Sequence, residues 1–253
     1  MTEDELNRLN ARLLAYLRAA AERRPSARRA GPFLATFDDD PNVYLNYAIP
    51  DDGIAPDAAQ LADLVALFEA RGRKPRLEYI TGAAPQLESA LLAYGFRIEK
   101  RVPVMLCRPG MQQPAPQPDG LLVFAATADE DLVGAEQAQA EAYGSPSRGP
   151  RGLKRTLRHG GVVAAARDVA SGAIVGGGIA TPPLDGISEI AGIGMREAFR
   201  RRGGAAALTA LLAYEAFARG IALLWLTPED ASAERIYARA GFAAVSEALH
   251  ISL

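Results

Sequence analysis

The chain has 253 residues, 49% apolar and 23% charged, with a formal net charge of −2. That length holds one large domain or two of ordinary size, and the charge balance excludes a protein built around nucleic acid, leaving only local basic clusters to bind anions. A single cysteine, Cys107, excludes an internal disulfide framework. No apolar run approaches the ~20 residues of a membrane-spanning helix. The acidic start, MTEDELNRLN, lacks the layout of a signal peptide. The expectation is a cytoplasmic protein with no nucleic-acid and no membrane partner.

Leu6, Leu9, Leu13, Leu14 and Leu17 share one helical face, and Thr2 and Glu5 have the spacing of a capping box. The chain therefore opens with an amphipathic helix. Strands are expected at Pro32–Phe37 and Val43–Ile49. A helix follows at Pro56–Arg71, carried by Leu61, Leu64, Val65 and Phe68. Leu77–Phe96, LEYITGAAPQLESALLAYGF, reads as a buried strand, a proline-bearing turn, a short helix, a glycine C-cap and a new strand. Pro109–Asp119, PGMQQPAPQPD, has four prolines and almost no large apolar side chain, the composition of a semi-extended linker. It divides the chain into residues 1–108 and 120–253.

Beyond the linker, Leu121–Ala126 is a strand, Asp129–Tyr143 a helix, and a short helix lies in Gly152–Arg158. Val162–Thr181 is a hairpin around an Asp/Ser/Gly turn. Ile187–Met195 is a strand, followed by a helix from about Gly203 to Arg219. Ile221–Thr227 is continuously apolar, as a central strand would be. Leu223–Phe242, LLWLTPEDASAERIYARAGF, aligns without a gap on Leu77–Phe96: Thr81 matches Thr227, Glu88 matches Glu234, and Gly95-Phe96 matches Gly241-Phe242. The match points to a duplication, with each half mixed α/β.

Between the strand ending near Met195 and the helix beginning near Gly203 lies FRRRGGAAAL, Phe199–Leu208. The first turn of a helix has amides with no internal partner, and their partial positive charge favours an anion. Gly203, Gly204, Ala205 and Ala206 are small enough for close approach, and Arg200, Arg201 and Arg202 add full charges. These residues alone allow two readings, a pyrophosphate cradle or a solvated basic loop. His159 and His250 are isolated, and with one cysteine they make neither a zinc site nor a nucleophile pair. Chemistry then falls to carboxylates, tyrosines, backbone amides or a bound cofactor.

The spacing Arg200-x-x-Gly203-x-Ala205 resembles the acyl-CoA signature Q/R-x-x-G-x-G/A of the GNAT superfamily of N-acetyltransferases. SEIAGIGM sits in the place of that family's fourth strand, and LLWLT resembles its fifth. DASAERIYARAGF resembles its Asn-x-x-Ala-x-x-hydrophobic-Tyr-x-x-x-Gly-Phe segment. The resemblance covers about Leu121 to Leu253. It implies a mixed α/β fold of two GNAT-like halves, each a mostly antiparallel sheet flanked by helices, with the C-terminal half active. It also implies acetyl-CoA as donor and a small-molecule or peptide primary amine as acceptor, attacking the thioester directly. Ile193, Gly194 and Met195 would line the pantetheine arm, and Arg200 to Ala206 the pyrophosphate. Glu189 stands in the register of the base glutamate of the histone-acetyltransferase branch. Period-two alternation would put Glu189, Ala191, Ile193 and Met195 on one face. Tyr237 matches the family's tyrosine, the general acid toward the leaving thiolate, and the Met195 amide would meet the developing oxyanion. Gly192 and Gly194 suit a bulge.

The chain also departs from the family pattern. Asp230 stands where asparagine is usual; it offers no amide donor to the cofactor but caps a helix well. The first half lacks R-x-x-G-x-A, and Leu91 stands opposite Tyr237, as in a half that has lost cofactor binding. A different class remains open at this level: a non-catalytic acyl-CoA-binding or sensing module, which needs the arginine–glycine turn but neither Glu189 nor Tyr237. Either would serve as a monomer or a homodimer.

Overall fold

The computed structural model describes residues 1–40, 42 and 45–253. Helix α1 (Glu3–Glu22) opens with the expected box: Thr2 Oγ1 accepts the Glu5 amide at 3.2 Å and the Glu5 carboxylate accepts the Thr2 amide at 2.7 Å. A short strand not read from the sequence follows, β1 (Arg28–Ala30), and then β2 (Phe33–Thr36) and β3 (Tyr47–Pro50). Val43 and Tyr44, where the second strand was expected to begin, lie outside the described residues. Next come α2 (Ala58–Glu69), β4 (Arg76–Ile80), α3 (Leu87–Tyr94) and β5 (Arg97–Cys107). Gly95 closes α3 at φ 113°, a left-handed cap that suits glycine. Beyond Pro109–Asp119 lie β6 (Leu121–Ala125), α4 (Asp129–Ala142), α5 (Arg151–Arg158), β7 (Val162–Asp168), β8 (Ile174–Ala180) and β9 (Ile187–Met195). The last elements are α6 (Gly204–Ala218), β10 (Leu223–Leu226), α7 (Ala231–Arg239) and β11 (Ala243–Ser252). The two matching segments therefore take one element order, β4–α3–β5 and β10–α7–β11.

The chain forms two compact units, one of residues 1–104 with 245–253, the other of residues 105–244. Each has a mixed sheet flanked by helices, the class expected. In the first unit the order is β1–β2–β3–β4–β11, antiparallel except for the parallel pair β3–β4. β11 lies along β4 from Ala248 opposite Ile80 to Ser252 opposite Arg76. Leu13, Leu14, Phe33, Ile49, Leu64, Phe68, Leu77 and Leu91 fill the core. Arg76 is fully buried; it pairs with Glu78 at 2.5 Å and Glu99 at 2.8 Å and donates to His250 Nδ1 at 3.1 Å. A buried guanidinium is tolerated only with such partners. Accepting at Nδ1 requires neutral His250, and burial, the main cause, lowers its pKa accordingly.

In the second unit the end of β5 pairs antiparallel with β10, Leu224 opposite Cys107 and Leu226 opposite Met105. From there the order is β10–β9–β8–β7–β6, with β10–β9 parallel and the rest antiparallel. Strand β7 shows how two faces are filled. Val162, Ala164 and Ala166 join Leu208, Leu212 and Ala216 of α6, whereas Val163 and Ala165 join Leu132 and Ala135 of α4. The proline-rich segment is laid against this unit: the Gln113 amide donates to the Ala240 carbonyl at 3.0 Å, and Pro118 is buried. Gly241, at φ 99°, leaves the space that the Met111 carbonyl occupies.

Candidate functional site

Strand β9 pairs with β10 only from Ile187 to Glu189, opposite Leu223 to Trp225. Among the described residues no strand pairs with it on that side from there to Met195, so the sheet opens with Glu189 at the vertex. On its other side β9 carries a bulge: Gly194 faces Gly177 and Ala191 faces Ile179, so Gly192 and Ile193 together oppose Gly178. Gly192 takes φ 63°, and a Cβ there would press on Gln139 Nε2 at 2.6 Å. The extra residue corrects the expected alternation. Ile190, Ile193 and Met195 face the core shared with α6, whereas Glu189, one residue from Ile190, faces the α4 side. Glu189, Ala191, Ile193 and Met195 do not share one face.

Two carbonyls of the bulge are held from α4. Gln139 Nε2 donates to Gly192 O at 2.7 Å, and Tyr143 Oη donates to Ile193 O at 3.1 Å. Gln139 and Tyr143 are four residues apart and so lie on one helical face. Arg196 N–H bonds to Val175 O while Met195 faces Gly176, which makes that a non-hydrogen-bonded pair. The Met195 N–H and C=O therefore point away from β8, into the opening.

The turn into α6 is more ordered than its charge suggests. Arg200 does not project freely: its Nε donates to Met195 O at 3.1 Å and its Nη2 to Ala142 O at 3.2 Å. Arg201 takes φ 62° and Gly203 φ 85°. A left-handed arginine is strained, and left-handed residues alternating along a turn curl successive amides into an anion-binding concavity. The first helical bond runs from Ala207 N–H to Gly203 O; among the described residues, the amides from Arg201 to Ala206 have no protein acceptor. The two glycines serve different needs. Gly203 supplies the left-handed cap, while a Cβ on Gly204 would stand 2.7 Å from Met195 Cε, so Gly204 lets α6 close onto β9. Ala205 and Ala206 are half-buried; Arg201 and Arg202 are exposed, Arg202 with its guanidinium 4.9 Å from the Phe199 ring centre.

On α7, Asp230 is the N-cap, accepting the Ser232 and Ala233 amides at 2.8 Å each. Tyr237 is half-buried against the core, edge to face with Phe242 at 6.5 Å. Burial raises its pKa above the ordinary phenol value, and Tyr143, Glu229 and Asp230 add to the rise. Burial and then Glu229 raise Tyr143 as well. Tyr143 was not read from the sequence as a site residue; the one signal was an aromatic closing a polar helix, a helix turn after Gln139. Among the described residues no cluster of His, Cys, Asp and Glu has the make-up of a metal site. Among the described residues no helix is long and apolar enough to cross a membrane.

Residues 132–242 match the model of the acetyltransferase (GNAT) family. A GCN5-related N-acetyltransferase from Kribbella flavida is similar over 96% of this chain and 95% of its own, with 27% identity and a TM-score of 0.80. A GCN5-related N-acetyltransferase from Sphaerobacter thermophilus shares the fold at 19% identity and a TM-score of 0.65, over 88% of this chain and 76% of its own. A tandem GNAT protein from the clavulanic acid biosynthesis pathway does so at 16% identity and a TM-score of 0.58, over 100% and 95%. No curated protein matches the chain by sequence.

Proposed function

We propose that the second unit transfers an acetyl group from acetyl-CoA to a primary amine of a small-molecule or peptide acceptor, by direct attack on the thioester. The family match supports acyl transfer from an acyl-CoA donor in general. The observation that carries the reading is continuity: the open edge of β9 runs straight into the turn of unaccepted amides. An extended, amide-bearing arm ending in a pyrophosphate needs those two features in that order.

In this reading Ile193, Gly194 and Met195 line the arm, and the amides of Arg201 to Ala206 hold the pyrophosphate with Arg201 and Arg202 beside it. Arg200 ties the ends of β9 and α4 together and so positions the turn. The Met195 N–H, aimed into the opening, stabilises the oxyanion. An acceptor amine, with pKa about 10.4, must lose a proton to react. Glu189 takes it through water, since the bulge turns its side chain from the Met195 face. Tyr237 stays protonated and donates a hydrogen bond to the leaving sulfur. With its pKa raised well above a thiol's ~8.5, complete proton transfer from it would be uphill. Asp230 serves the helix start rather than the cofactor.

Calorimetry with acetyl-CoA, followed by thiol release across a panel of amines, tests the reading. Micromolar binding with turnover on some amine supports it. Binding without turnover on a broad panel favours the non-catalytic module instead. Absence of binding removes both.

A further inference from the structure

The first unit has a cavity of its own, of about 320 Å³, at the end of β4. Tyr79 forms part of its wall; it is 1% exposed, and its hydroxyl has no hydrogen-bond partner. Gly82 forms another part, and the space a Cβ would fill there is taken by the amide of Asn10, whose Oδ1 is also buried without a partner. A buried hydroxyl without a partner in a cavity wall is unusual, because burial without a bond forfeits hydration. The same cavity is lined by Arg101, forked between two carboxylates, Nη1 to Glu247 at 2.6 Å and Nη2 to Glu88 at 2.5 Å. One guanidinium against two carboxylates leaves a net negative wall, and each carboxylate keeps an oxygen that Arg101 does not use.

We propose that this cavity binds a small primary ammonium compound, its N–H groups shared among the Glu88 and Glu247 carboxylates and the Tyr79 hydroxyl. An ammonium group has three donors and no acceptor, which suits two carboxylates and a phenol oxygen and neutralises the wall. Ala84 and Pro85 give the carbon chain an apolar surface. An anion meets the opposite: the one cation is already shared by two carboxylates. The site is separate from the reaction proposed for the second unit and does not depend on it.

The test is calorimetry on the full chain with n-butylamine, against butan-1-ol and butyrate, in wild type, Tyr79→Phe, Glu247→Gln and Tyr237→Phe. The expected result is binding of the amine alone, equal in wild type and Tyr237→Phe. Affinity should fall on the order of tenfold in Tyr79→Phe and Glu247→Gln, as loss of one charged hydrogen bond implies. Tyr79→Phe should keep its melting temperature, since it deletes a hydroxyl that no protein group uses. Glu247 is in an exposed pair, so its loss should leave the fold intact. Failure of the amine to bind, equal binding of alcohol or butyrate, or amine affinity unchanged in both first-unit variants overturns the proposal. Acetyl-CoA binding, measured separately, is untouched by any of these outcomes.

Discussion

Strands β3 and β9 hold equivalent places. Each lies parallel to the strand that follows a helix, β4 after α2 and β10 after α6. The turns that lead into the two helices are opposites. Before α2, the Asp57 carboxylate accepts the Gln60 amide at 2.8 Å and Gln60 returns to the Asp57 amide at 3.1 Å. The acids just upstream are matched too, Asp51 with Arg29 and Asp52 with Arg18. Before α6 there is no side-chain cap, only Gly203 and three arginines. A helix start carries roughly half a positive charge. The first unit satisfies that charge with its own carboxylate; the second leaves it for something else. An open turn is thus not a requirement of the architecture.

Transplanting one cap breaks the comparison most directly. Gly203→Asp should set a carboxylate at the start of α6 and weaken acetyl-CoA binding on the order of a hundredfold in calorimetry, through lost amide bonds to a charged group and added repulsion. An unchanged Kd would mean the turn does not hold the donor. Tyr237→Phe comes next, with kcat down roughly 10- to 100-fold and acetyl-CoA affinity within about twofold. Burial raises the Tyr237 pKa, so the phenol stays protonated below and beyond the ordinary value near 10. The alkaline limb of the kcat–pH profile, measured in both proteins up to about pH 9.5, should therefore have the same midpoint; a midpoint that moves would show Tyr237 titrating there. Arg202→Gln should raise the acetyl-CoA Kd only a few-fold at low salt, fading at high salt, because the group is exposed. Asp57→Ala sharpens the other side. It should lower stability by about 1 kcal/mol in urea unfolding while leaving acetyl-CoA affinity as it was.

Much of the frame was legible because its signals are local. Leucine spacing and Thr2 with Glu5 mark α1, glycines at 95 and 241 mark helix ends, and the Asp/Ser/Gly turn marks the hairpin of β7 and β8. Strand β1 was missed since three residues, two of them arginines, carry no pattern. The turn falls within the segment that the arginine–glycine spacing picked out, and the open edge lies in the strand read just before it. What escaped is what depends on distant neighbours. Alternation assumes one residue per pleat, so a bulge at Gly192 moves Glu189 to the other face. Arg200 sits in the signature, yet its direction is set by the Met195 and Ala142 carbonyls, which only the fold brings near. Tyr143 meets Ile193 because α4 packs on β9, and no spacing in the sequence encodes that.

The place of β11 has a consequence for the order in which the protein can be made. Val245–Leu253 belongs to the compact unit of residues 1–104, where it covers the edge of β4 from Arg76 to Ile80. A ribosome delivers everything from Met105 to Ala244 before that strand. The part synthesised first is therefore the part completed last, and β4 waits with unpaired amides and carbonyls through most of translation. A premature stop that removes only β11 would spare the arginine turn and strike the unit at the opposite end of the message.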